Sequence, residues 1–252
     1  MRTSRTLTFT LLGFCAVALV WAIGIPTGSA QPSYAPHKGE PVLIELFTSQ
    51  GCSSCPPADR LAARLAREDD LVVISRPVDY WDRLGWKDTF GKAENTALQR
   101  SYARRGLGGY NGVYTPQIVV AGSLGEVGSD ERAVRGFVNR IGSKPAAAIR
   151  VRGSSERGFS IGVAGTTSRS AELMLIGVST EEKIDIGRGE NQGRSLTYTN
   201  VHISERGISN WSGGKASHVL TASQLSIAGA DRYALVLRVP NGGKVLAASW
   251  LE

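Results

Sequence analysis

The sequence predicts an α/β domain followed by an all-β, sandwich-like domain, and three observations carry that prediction. Up to about residue 144, apolar runs of strand length alternate with segments of helical periodicity. Gly142-Ser143-Lys144-Pro145 then reads as a linker. Beyond it the apolar runs are short, punctuated by Gly, Ser and Asn, and carry no convincing helical pattern.

Residues 1–30 have the organisation of a secretory signal peptide. Arg2 and Arg5 precede an apolar stretch from Leu7 to Ile25, and Pro26 and the small-residue site Gly28-Ser29-Ala30 follow, which predicts cleavage before Gln31. The competing reading is an uncleaved anchor, because the stretch is nearly long enough to span a bilayer. A lipoprotein is disfavoured by Phe14 ahead of Cys15. No later segment is long and apolar enough to cross a membrane, so the mature chain is expected to be periplasmic or secreted, with no membrane span.

The first domain is expected over 38–144. Pro41 to Thr48 reads as a buried strand, and Ala58 to Arg67 as a helix with Leu61, Ala62, Leu65 and Ala66 on one face. Leu71 to Ser75 is a second strand, and Lys92 to Arg105 a helix stopped by Gly106. Gln117 to Ala121 and Leu124 to Val127 form a hairpin around Gly122-Ser123, followed by a helix capped near Ser129 or Asp130. The second domain is expected over 146–252. Its strands are Ala147 to Val151, Phe159 to Val163, Ala171 to Ser179, Leu196 to Ile203, Ser217 to Leu220, Tyr233 to Val239 and Val245 to Trp250.

Composition narrows the function. With 42% hydrophobic residues in 252, the chain can bury a real core and is not disordered. Its formal charge of +7 is scattered without a basic stripe, so no nucleic-acid partner is expected. Cys15 departs with the leader, leaving only Cys52 and Cys55, which excludes a disulfide-rich scaffold.

Those two cysteines form Cys52-Ser53-Ser54-Cys55 between a predicted strand and a predicted helix. Unpaired N–H groups and the positive end of the helix dipole favour the thiolate of Cys52, and Cys55 is placed to act as the resolving thiol. An inert disulfide is one alternative. The other is half of a zinc or copper site completed from His37, His202 and His218, none of which has ligand spacing to the pair, so no metal ligand is assigned. Thr115-Pro116 opens the third strand, where a cis peptide is expected and would leave Thr115 free to pair with an extended substrate.

Three further groups draw attention. After the second strand, Tyr80 and Trp81 are candidates to line a substrate groove and Asp79 to transfer a proton; the alternative is that these aromatics, with Trp86, anchor the β domain. Glu45 interrupts an apolar strand, and if buried near Cys55 it would have a raised pKa and take that thiol's proton; otherwise it is a solvated flank. Arg188-Gly189-Glu190-Asn191-Gln192-Gly193-Arg194 reads as a hairpin turn with internal ion pairs rather than a cover for the thiols.

The strand, Cys52-Ser53-Ser54-Cys55 and Thr115-Pro116 together resemble the thioredoxin superfamily. The β-α-β-α-β-β-α order matches its minimal arrangement, so a thioredoxin-like domain is expected first. More narrowly, residues 45–59, 78–88 and 114–117, with Arg188-Gly189-Glu190-Asn191 and Gly193-Arg194, are similar to the hallmarks of an exported bacterial family of unknown function. The resemblance implies that Cys52 is the nucleophile and Pro116 is cis. Gly51 stands where thioredoxins usually carry Trp, removing an aromatic beside the nucleophile. Pro56-Pro57 disfavours helical angles at Cys55 and predicts either a distorted first turn or a helix that begins at Pro56.

The expected function is therefore that of an exported thiol-disulfide oxidoreductase. It needs no cofactor, acts on an exported protein or small-molecule thiol or disulfide, and requires a redox partner to recycle it. The alternatives are a non-catalytic protein-binding module with a structural disulfide, and metal delivery.

Overall fold

The computed structural model describes residues 39–107 and 112–252. The expected signal segment with Cys15, and also His37, lie outside the described residues. The described chain belongs to one compact unit, 36–252. No helix among the described residues is long and apolar enough to cross a membrane.

Strand β1 (Val42–Thr48) is buried along its whole length. It pairs in parallel with β2 (Leu71–Pro77) and antiparallel with β3 (Gln117–Val120), which returns as β4 (Leu124–Val127). A parallel pair requires a crossover, supplied here by α1 (Pro56–Leu65). Ala58, Leu61, Ala62 and Leu65 of α1 join Ile44 and Leu46 of β1, and Val134 and Val138 of α3 (Glu131–Gly142), in one core. Side chains alternate across a strand, so Glu45 and Phe47 point to the opposite face. There α2 (Ala93–Arg104) sets the Tyr102 ring edge-on to Phe47. Ala121 and Gly122, with φ of 47° and 57°, make the left-handed turn of the β3–β4 hairpin.

Seven strands follow: β5 (Ala147–Ser154), β6 (Gly158–Gly165), β7 (Ala171–Asp185), β8 (Ser195–Trp211), β9 (Gly214–Leu220), β10 (Arg232–Arg238) and β11 (Val245–Trp250). They do not close on themselves as the expected sandwich. Among them β5, β6 and β9 form a separate sheet, whereas the other four extend the first in the order β11-β10-β7-β8-β2-β1-β3-β4. The fold is a mixed α/β arrangement dominated by this eight-stranded sheet.

The reason lies in β7 and β10, which are covered on both faces. Ile176, Val178, Ala234 and Val236 join the core that contains α1, while Leu173, Leu175, Leu235 and Leu237 pack with β5, β6 and β9. Strands buried on both sides read as unbroken apolar runs rather than alternating ones.

The two halves of the large sheet meet at β2 and β8 through one registered pair, Ser75 with Val201. Side chains reinforce the join: Ser75 Oγ donates to Thr199 O, and Asn200 Nδ2 donates to Val73 O. Strands β7 and β8, at 15 and 17 residues, are much longer than their apolar runs. Their pairing continues to Asp185 and Ser195. This ribbon carries its tip, residues 186–194, to the turn between β1 and α1.

Candidate functional site

Cys52 and Cys55 are joined by a disulfide in the turn between β1 and α1, with Cα atoms 5.4 Å apart. Cys55 is the N-cap of α1 and has helical angles despite the proline after it; the regular helix begins at Pro56. Pro56 and Pro57 carry no N–H, so two of the donors that a helix start normally presents to a neighbouring anion are missing. Ser54 places its hydroxyl 3.3 Å from Cys52 Sγ. Ser53 and Ser54 are exposed, while both cysteines are 0% exposed.

The turn is gripped by the loop after β2. Asp88 accepts from the Gln50 amide at 2.7 Å and, being buried, has its pKa pushed up. The Gln50 side chain accepts from Trp86 Nε1 at 2.9 Å and donates to Thr89 Oγ1 at 2.6 Å. Trp81 packs on Gly51, where an added Cβ would stand 3.3 Å from the Trp81 Cβ. An aromatic therefore does flank the turn, supplied from another segment. Trp81 Nε1 also donates to Thr115 Oγ1 at 2.8 Å. The Thr115-Pro116 peptide is cis, and Pro116, Ala58 of α1 and Leu46 all crowd the Cα of Gly128, where an added Cβ would stand 3.0–3.1 Å from each. Tyr80 lies beside them, its hydroxyl near Thr115, Trp81 and Gln99 without hydrogen-bond geometry and its pKa pushed up to about 12 by burial. Asp79 instead turns to α2 and accepts from Thr96 Oγ1 at 2.6 Å.

The ribbon tip covers the turn, which corrects its reading as a simple hairpin end. Asn191, fully buried, donates from Nδ2 to both Gln50 O and Cys52 O at 2.9 Å. Arg194 Nη1 orients it by donating to Asn191 Oδ1 at 2.9 Å. Glu190 Oε2 accepts from the Ser53 amide at 3.0 Å, and its bonds to the Ser53 hydroxyl and amide hold its carboxyl below the ordinary range. Gly187 and Gly189 let the tip lie against Trp86.

Glu45 is fully buried, so it is not a solvated flank, yet it lacks the raised pKa that burial near Cys55 would have given it. Burial alone would push its pKa up, but the guanidiniums of Arg238 and Arg76 and the Tyr102 hydroxyl outweigh that and hold it below the ordinary value. Arg238 Nη2 is 2.6 Å and Arg76 Nε 2.7 Å from Glu45 Oε1, and Tyr102 OH donates to Oε2 at 2.5 Å. Arg76 continues to Glu205 at 2.7 Å, so the cluster clamps β1, β2, β8, β10 and α2.

The carboxyl on the thiol side is Asp59, one helical turn after Cys55 on α1. Thr48 Oγ1 donates to its Oδ1 at 2.7 Å, while its Oδ2 is buried with no partner among the described residues. Burial, and secondarily the charge of Asp88, push its pKa up to about 7 against the pull of the Thr48 bond. Tyr198 of β8 is close by: its pKa is raised by burial and then by Asp59 and Asp88.

The sequence pattern of the family described as protein of unknown function (DUF1223) matches residues 43–239. The chain belongs to that family. A crystal structure of an Agrobacterium tumefaciens protein, solved as a structural-genomics target, is 28% identical, with a TM-score of 0.72 over 87% of this chain and 96% of that one. HBP35 of Porphyromonas gingivalis shares the fold at 11% identity and a TM-score of 0.54, over 86% of this chain and 76% of its own. A probable thioredoxin of Archaeoglobus fulgidus is 37% identical over 38 residues, which is 15% of this chain and 42% of the relative.

In this DUF1223 chain the structure gathers Cys52, Cys55, Trp81, Thr115 and Pro116, sets Tyr80 at their edge, and engages Glu45 and Asp79 elsewhere, with α2 and the strands around it. Sequence reasoning missed Asp59, Asp88 and Gln50 as site residues. Asp59 had a signal, since it follows Cys55 by four residues and so stands on the same helix face, one turn further along. Glu190 and Asn191 stand out as part of a family motif, but the sequence does not favour them as a cover, because nothing local ties them to a turn more than 130 residues earlier.

Proposed function

We propose that the Cys52–Cys55 pair exchanges disulfides with an exported protein or small-molecule substrate, on a thioredoxin-like domain formed by β1 to α3. One observation carries the proposal: the bonded pair sits in the strand-to-helix turn, with Trp81 linking that turn to the cis Thr115-Pro116 peptide. In the reducing direction the Cys52 thiolate attacks one substrate sulfur and the substrate S–S bond breaks, expelling a thiolate that takes a proton. Cys55 then loses its proton and attacks Cys52 Sγ, releasing the second substrate thiol and closing the Cys52–Cys55 bond. Two electrons pass to the substrate, and a dithiol donor must restore the pair. Asp59, with a pKa near neutrality, is suited to hold the Cys55 proton, the role that Glu45 cannot fill as a fully paired carboxylate.

A second reading, a protein-binding scaffold with a structural disulfide, is favoured by the complete burial of both cysteines. Metal delivery has less support: His202 is enclosed beside Glu205 and Arg76, and His218 contacts Ser209 Oγ. Thiol titration before and after a mild dithiol reductant, followed by insulin reduction, tests the choice. Exchange requires that wild-type protein reduce insulin, that Cys52→Ser and Cys55→Ser both abolish the reaction, and that only Cys55→Ser trap a mixed disulfide. A bridge that resists the reductant and traps nothing leaves the scaffold reading.

A further inference from the structure

A pocket of about 400 Å³ opens beside the disulfide, lined by Ser53, Pro56, Pro57 and Arg60 on one side and by Arg194, Ser195 and Leu196 of the ribbon on the other. Its two guanidiniums are exposed, and neither is ion-paired with a carboxylate among the described residues. Arg194 spends one N–H on Asn191 Oδ1. Arg60 has its charge beside buried Asp59, which is largely protonated below neutrality. Such a pair of cations leaves a positive field facing whatever approaches Ser53 and Cys52. At the same wall, the chain's own Glu190 carboxylate already rests on the Ser53 amide.

We propose that this pocket receives a carboxylate of the disulfide substrate, with Arg60 and Arg194 as its specificity-determining residues and Glu190 as its internal stand-in. The inference rests on the exchange reading above and names the substrate class: anionic disulfides, whether small acids or peptides with a carboxylate near the bridge. An incoming carboxylate gains the two guanidiniums and competes with Glu190 for the Ser53 amide. Displacing Glu190 removes one of the ties that hold the ribbon tip over Cys52, so recognition and uncovering of the sulfur are coupled. Guanidinium suits this task because its planar fork binds carboxylate through paired hydrogen bonds.

Three disulfides with similar short chains separate the effects of charge and access: dithiodipropionic acid (anionic), hydroxyethyl disulfide (neutral) and cystamine (cationic). The full mature chain, reduced with a dithiol and desalted, is mixed with each, and the rate of Cys52–Cys55 bond formation is divided by the rate for a free small dithiol. In each turnover the protein bond forms, the substrate bond breaks, and the two substrate sulfurs leave as thiols. The expected result is an anionic-over-neutral ratio of roughly threefold to tenfold at low salt, shrinking as ionic strength rises. Arg60→Gln and Arg194→Gln should each lower that ratio, and Arg60→Glu should reverse it toward cystamine. Using the ratio cancels any change that Arg194→Gln makes to the ribbon cover, because the neutral disulfide reports it.

Exchange with all three disulfides at one normalised rate, unmoved by the arginine substitutions, overturns the pocket and leaves the redox reading intact. Failure of the reduced protein to exchange with any of them overturns the redox reading and the pocket together.

Discussion

Two carboxyl groups are buried on opposite faces of β1, and the protein treats them oppositely. Glu45 faces α2 and is answered by two guanidiniums and a phenol, so it stays charged. Asp59 faces the disulfide turn and is answered by a single hydroxyl, so it keeps its proton to near neutral pH. Burial has the same sign in both cases; partners decide the outcome. A carboxylate matched by two guanidiniums is suited to joining strands, whereas an under-paired carboxyl at the disulfide turn is suited to moving a proton.

The largest expected effect breaks the ion-paired side. Glu45→Ala leaves Arg76 and Arg238 enclosed without their shared counter-charge, a change that typically destabilises by about 3–5 kcal/mol. Urea unfolding should show that loss in the midpoint, with reducibility of the disulfide less affected. A loss below about 1 kcal/mol would mean that the cluster does not hold the sheet halves together.

The next test uses pH, because the two regions carry opposite signs. Burial, with the charge of Arg76, drives His202 down to about 3, so it is neutral when folded; its contribution is present above the ordinary value of 6.5 and lost as pH falls toward 3. Lys92 and Arg238 push the same way on that ring, while Glu205 opposes the shift and the Glu94 carboxylate lies 3.9 Å from Nδ1. Asp59 is raised from 3.8 to about 7, so its contribution is complete below pH 3.8 and lost as pH rises to about 7. Between about pH 4 and 6.5 each slope is about 1.4 kcal/mol per pH unit, and they oppose each other. Asp59→Asn should therefore unmask a stability that climbs with pH across that window, and His202→Gln one that declines. Urea titrations at stepped pH decide it; equal pH profiles for Asp59→Asn and wild type would mean Asp59 ionises as if exposed.

The same contrast explains what was legible in the sequence. Strand and helix identities follow from local periodicity, which is why β1, α1 and the β3–β4 hairpin stand close to where their apolar patterns place them. The partition of the later strands between two sheets was not read, although the unbroken apolar runs 173–176 and 234–237 carry the mark of strands covered on both faces. Glu45 was legible as unusual but not as paired, because Arg238 lies 193 residues away and arginine in a strand end looks like ordinary solvated charge. Polar residues at the ends of β7 and β8 hid the length of the ribbon, and with it the contact between its tip and the cysteines.

The smallest effect sharpens the comparison by asking whether the Asp59 side opens locally. Asn191→Ala removes two hydrogen bonds to the Gln50 and Cys52 carbonyls inside a fully buried contact, which costs about 1–3 kcal/mol. If the ribbon tip lifts as a unit, that loss appears almost wholly in local opening, and dithiothreitol should reduce the disulfide about tenfold faster for each 1.4 kcal/mol lost there. The urea midpoint should then move much less than the reduction rate. If instead the sulfur is reached only by global unfolding, rate and midpoint must shift in step, and the cover is part of the core. In that event the under-paired carboxyl beneath it has no visitor to serve, and the contrast between the two faces of β1 becomes one of stability alone.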